Sequence, residues 1–169
     1  MKYVILVFLS FLTACASQSN NRNTLALSYD RVFQLHVGST TETDVVKIFG
    51  KPSARVQRNG YYILDYHSPQ NGFQRLSLSF DNKNSHLSSL LWIPSEDEKE
   101  ISLDGAKATF KESTFKVSEE GSHGSHAVSK IILYTDDSKG VTIRYNPSSN
   151  VVEAIAKYDA NLRAPSATK

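Results

Sequence analysis

The chain carries two hydrophobic periods in succession. Leu25, Tyr29, Val32, Phe33 and Leu35 recur at three- and four-residue spacing, which predicts a helix within residues 24–36 closed by Val37-Gly38. A second, shorter helix is predicted over 41–49. Thr41 with Asp44 three residues on fits a capping pattern, Ser39 with Glu42 being the alternative. Val45, Ile48 and Phe49 share one face of it, Gly50 supplies a left-handed stop, and Pro52 keeps the helix from restarting. After Pro52 the period falls to two. Residues 54–58 and 61–66 flank Asn59-Gly60 and predict a hairpin with a type I′ turn. Leu76-Ser77-Leu78-Ser79-Phe80 alternates cleanly, 81–85 is a turn, and 87–93 is a strand ended by Pro94. Such alternation buries one face of a sheet and leaves the other wet.

Residues 95–100 form a polar, acidic break, and beyond it the same order returns. A short helix over 102–110 would turn Leu103, Ala106 and Phe110 inward. Residues 110–117 parallel 49–56 at an offset of 61, and 141–145 parallel 76–80 at an offset of 65. Val152 and Ile155 then fall on Leu87 and Leu90, with a strand over 130–135 between. Either the halves are a duplication or they share what any two meanders share; the pattern leaves both open. The expected fold class is α+β: short helices packed on one face of an antiparallel β-meander, a helix–meander tandem if duplicated. The expected organisation is 1–14 signal peptide, 15–24 modified cysteine and tether, 25–94 first module, 101–159 second module and 160–169 tail.

Charge narrows the partners. Nineteen basic and seventeen acidic side chains give a net charge of +2 with no basic block, which argues against nucleic acid as a partner. The apolar run after Lys2 is far below the roughly 20 residues of a spanning helix and ends in small residues, as a signal peptide does. Leu12-Thr13-Ala14-Cys15 resembles the lipobox of bacterial lipoproteins, and Cys15 is the one cysteine of the chain. That resemblance implies cleavage before Cys15 and a covalent lipid on it, with two or three acyl chains anchoring the protein stably. By analogy with enteric lipoproteins, the small uncharged Ala16 after it favours the outer membrane, facing the periplasm.

The run Gly38-x-Thr40-Thr41-x-x-Asp44-Val45-x-x-x-Phe49-Gly50-x-Pro52 resembles the small outer-membrane lipoproteins of the BamE (SmpA/OmlA) type over roughly residues 25–93. The resemblance implies two short helices on a three- or four-stranded meander, and every residue of the motif has a structural part in it. The second half lacks the first helix and the Gly-x-Thr-Thr run. Tandem helix–meander units also resemble β-lactamase inhibitory protein in topology, which implies a protein-binding sheet surface.

No nucleophile elbow, phosphate loop or paired-cysteine site is written in the chain, and no catalytic, cofactor or metal residue is assigned. His123 and His126 sit in a Gly/Ser-rich segment without the geometry that would hold a metal. Asp65 and Glu153, each between apolar neighbours on a strand, are expected to face water. Tyr61, Tyr62, Tyr66, Phe73, Phe80 and Trp92 are expected mostly in the core. The functional expectation is a non-enzymatic envelope lipoprotein. Its partners are the membrane, through its anchor, and an envelope protein, the concrete version being an accessory to outer-membrane protein assembly. The alternative is an inhibitor or ligand-binding module using a sheet face.

Overall fold

The computed structural model describes residues 27–68, 74–95, 101–120 and 130–161. Cys15, the leader, the tether, Leu25, Phe73, His123 and His126 lie outside the described residues, as does most of the 95–100 break. Chain order is α1 (Tyr29–Val32), α2 (Glu42–Phe49), β1 (Ala54–Gln57), β2 (Tyr61–His67), β3 (Arg75–Asp81) and β4 (Leu87–Ile93). There follow α3 (Leu103–Thr109), β5 (Lys116–Glu120), β6 (Ile131–Asp136), β7 (Val141–Asn146) and β8 (Val151–Tyr158). All eight strands form one antiparallel sheet in the order β1-β2-β3-β4-β8-β7-β6-β5.

This corrects the α+β expectation. The protein is mainly β, with helices of only four, eight and seven residues beside the sheet. The stripe over 24–36 yields a single turn, because Leu27 and Leu35 reach the core from outside the helix. The two meanders join into one sheet. β4 pairs with β8 through Ser89↔Tyr158, Leu90↔Lys157, Leu91↔Ala156 and Trp92↔Ile155, so each half closes the edge that the other would expose. One core cluster runs through both halves, and Phe33 meets Trp92 and Phe110 edge-on at 6.0 and 5.6 Å.

The halves match at an offset of 65 down to irregularities. The β3–β4 ladder shifts register between Ser79 and Phe80, and the β7–β8 ladder between Arg144 and Tyr145. Ser85 and Asn150 are the two described non-glycine residues with positive φ, both at 56°. Asp81 Oδ1 accepts from the Lys83 backbone N–H as Asn146 Oδ1 accepts from Ser148. The offset of 61 does not hold in the sheet. Arg55 pairs with Leu64 and Val117 with Tyr134, themselves the partners of Leu78 and Ile143, so Val117 stands where Arg55 stands. Val56 and Val117 therefore face opposite sides.

The hairpin at Asn59-Gly60 is also corrected. Gly60 has positive φ (83°) and Asn59 does not, whereas a type I′ turn needs both. At the end of α2, Gly50 sits at φ 75°, ψ −157°, a region essentially reserved for glycine but not the left-handed helical one.

Candidate interaction face

The three helices lie against one face of the sheet. Phe49 of α2 meets Tyr66 at 5.8 Å between ring centroids, Tyr29 of α1 meets Trp92 at 5.4 Å, and the Lys107 ammonium of α3 stands 3.8 Å over the Tyr134 ring. Cross-strand partners in an antiparallel ladder share a face. The opposite face can therefore be read from the register. One row crosses all eight strands: Ala54, Asp65, Ser77, Leu91, Ala156, Thr142, Thr135 and Lys116. Beside it run Val56, Ile63, Ser79, Ser89 and Tyr158. No described helix lies on these rows.

Small residues dominate the middle of this face. With Ser77, Ser79, Ser89, Ala154, Ala156 and Thr142 there, the backbone lies close under the surface and side chains from outside can approach it. Leu91 rises from that floor, 38% exposed, and Tyr61 is 41% exposed at the rim. Tyr61 also borders an open hollow of about 440 Å³ with Gly60, Ile63, Ser79, Asp81, Ser88 and Ser89. Two charged groups flank the floor. Arg75 Nη2 donates to Asp65 Oδ1 at 3.1 Å, and Arg144 bridges Glu153 at 3.0 Å and Glu120 at 2.6 Å. Asp65, expected to face water, is only 9% exposed, since Arg75 and the neighbouring strands cover it. Glu153 is half-buried and also accepts from Asn146 Nδ2 at 2.9 Å.

The residues of the sequence motif gather on the other side. Gly38 N–H donates to the Leu87 carbonyl at 2.7 Å and Leu87 N–H to the Thr40 carbonyl at 2.8 Å, tying the approach to α2 onto the start of β4. The Thr40 hydroxyl accepts from His36 N–H at 2.8 Å. Thr41 and Asp44 form a reciprocal capping box, and the Thr41 hydroxyl, followed by its backbone N–H, holds the Asp44 carboxyl below its ordinary pKa. Val45 and Phe49 are buried, and Gly50 and Pro52 are half-buried. Tyr66 Oη donates to the Gly50 carbonyl at 3.1 Å. In the second half Ser102 caps α3 by accepting from the Gly105 N–H at 3.0 Å. At the end of β6 the Asp136 carboxyl is also lowered, first by the Ser138 hydroxyl and then by backbone N–H donors from Thr114, Lys139 and Ser138. These contacts organise the fold; none reaches the helix-free face.

Sequence reasoning passed over Arg75, Leu91, Arg144 and Ala156. The available signal was the polar phase of the period-two strands, which marks the residues between the buried ones. Among the described residues no group of three or more His, Cys, Asp or Glu could hold a metal ion, and no helix is long and apolar enough to cross a membrane.

No protein-family model matches the chain, and no curated protein matches it. Among solved structures it is similar to the crystal structure of a DUF4309 family protein (YjgB) from Bacillus subtilis subsp. subtilis str. 168. That likeness has 14% sequence identity and a TM-score of 0.46, and it spans 80% of this chain and 94% of the other.

Proposed function

We propose that this is a lipid-anchored envelope protein that acts without catalysis, by binding another protein through the helix-free face of its sheet. The observation that carries the reading is the row of mostly small residues that continues across both halves, from Ala54 to Lys116, with exposed Leu91 near its centre. A shallow floor with an apolar centre and a polar, charged rim is the anatomy of a protein-binding surface. The anchor rests on the lipobox resemblance at Cys15. A tether confines the protein to the surface where its partner sits, so a modest interface suffices. With the BamE-type motif, the partner fits an outer-membrane assembly component on the periplasmic side.

The test separates face from tether. Leu91→Arg combined with Ala156→Arg should leave the circular-dichroism spectrum unchanged and remove an envelope protein that crosslinks to the native chain. Val46→Arg, on the exposed side of α2, should retain that crosslink. Cys15→Ser should lose incorporation of a fatty-acid analogue. A crosslinked partner that survives the double face variant would exclude this face, and label retained by Cys15→Ser would exclude the anchor.

A further inference from the structure

The 65-residue correspondence puts two very different side chains in one place. Trp92 pairs with Leu76 and Ile155, and Lys157 pairs with Val141 and Leu90, so Lys157 is the second-half counterpart of Trp92. In the first half, Tyr29 and Phe33 cover Trp92, and its indole N–H donates to the Leu27 carbonyl at 2.8 Å. The described second half has no helix corresponding to α1. Where that cover would lie there is instead an open hollow of about 390 Å³, with Lys111, Lys139 and Lys157 on its walls. A second hollow adjoins it at Lys139 and Lys157.

The charges around this hollow do not cancel. Lys139 is engaged by Glu112 at 3.2 Å. The Lys157 ammonium has no hydrogen bond or ion pair among the described residues. The nearby carboxylates are occupied elsewhere: Asp136 by Ser138, Thr114 and Lys139 N–H, Asp137 by the Tyr158 hydroxyl, and Asp159 by Asn161. Burial beside Leu90 and Val141 lowers the Lys157 amine below the ordinary lysine pKa, and no carboxylate among the described residues offsets it. Val141 and Phe110 supply apolar wall, and Thr109 and Ser113 supply hydroxyls. The volume is within the usual range of small-molecule sites, roughly 300–1,000 Å³.

We propose that this hollow is a binding site for a small organic monoanion, a carboxylate carrying an apolar group. Its carboxylate would pair with Lys157 and its apolar part would lie against Val141 and Phe110, where α1 has no counterpart. Of the two wall ammonium groups without an ion pair among the described residues, Lys111 is exposed and only Lys157 is half-buried among apolar side chains, a setting that matches a single negative charge better than a doubly charged, strongly hydrated phosphate. The site is on the helix side of the sheet, so it is independent of the interaction face.

Phenylacetate, 2-phenylethanol and inorganic phosphate are the probes, titrated into the full chain and followed by the amide resonances of Ser113, Val141 and Lys157. Phenylacetate should shift these three saturably and bind at least tenfold more tightly than either of the others. It should also raise the Tm of the native protein, because it binds only the folded state. Lys157→Met should weaken phenylacetate at least tenfold and, without ligand, melt no lower than native, since it removes a half-buried unpaired charge. Glu112→Gln, which frees Lys139, should tighten binding several-fold. The proposal is overturned if the alcohol or phosphate binds as well as phenylacetate, if the shifts map elsewhere or are absent, or if Lys157→Met binds normally. It is equally overturned if Lys157→Met unfolds the protein, which would make the ammonium a structural necessity.

Discussion

Tyr66 shows how one side chain serves both packing and polar satisfaction. Its ring lies against Phe49, and its hydroxyl donates to the Gly50 carbonyl at the end of α2, where a helix leaves acceptors unpaired. Burial is the main cause that raises its pKa, from the ordinary 10.0 to about 12, with the Glu42 charge adding to it. The unfolded chain releases this proton near pH 10 and the folded chain holds it to about 12, so folding favours the neutral phenol. The contribution is therefore complete below pH 10 and lost as pH rises through about 12. Tyr66→Phe should cost about 0.5–1.5 kcal/mol at neutral pH, the worth of one hydrogen bond. It should also flatten part of the alkaline fall in stability seen by urea titration from pH 9 to 12. Tyr29 and Tyr62, raised in the same sense, would keep the remainder. An alkaline slope equal in both proteins would show that Tyr66 does not carry it.

At the scale of elements, the β3–β4 and β7–β8 hairpins are built on one plan. Each begins with an Asx turn, passes through a positive φ of 56° and then shifts register, which returns Leu87 and Val152 to the buried side. Asparagine tolerates this conformation better than serine does, so the first hairpin is the more strained of the two. Ser85→Gly should relieve it and stabilise the protein by about 0.5–1 kcal/mol, after the greater chain entropy of glycine is subtracted. Asn150→Gly should gain less. Thermal unfolding of both variants tests the ranking, and a Ser85→Gly protein that melts lower than native would contradict it.

For the whole molecule, the decisive pairing is β4 with β8. A fragment of residues 16–95 retains both helices that precede the first meander but leaves Ser89–Trp92 of β4 unpaired on the β8 side, Leu91 among them, and loses Ile155 beside Trp92. An unpaired apolar edge of this kind templates association. The fragment should not fold as a stable monomer. Sedimentation and near-ultraviolet circular dichroism check this, and a monomer with native-like Trp92 signal would mean that the halves are independent units after all.

The local elements were legible because their causes are local. Thr41 and Asp44 three residues apart specify a cap, Gly50 and Pro52 specify a stop, and the alternation of Leu76, Leu78 and Phe80 specifies which phase of a strand meets the core. The proposed lipobox at Cys15 would be of the same class, a linear signal read before any fold exists. What no window of the chain contains is the contact between Leu90 and Lys157, 67 positions apart, or the sharing of one sheet by two meanders. That choice depends on which edges are left unpaired once both meanders have formed, a property of the assembled surface. The same pairing decides the two candidate sites. It makes the helix-free rows continuous, and it turns Lys157 towards a space that the first half fills with aromatic rings. Periodicity can mark Lys157 as facing the core, but only the packed structure shows that no carboxylate among the described residues neutralises it.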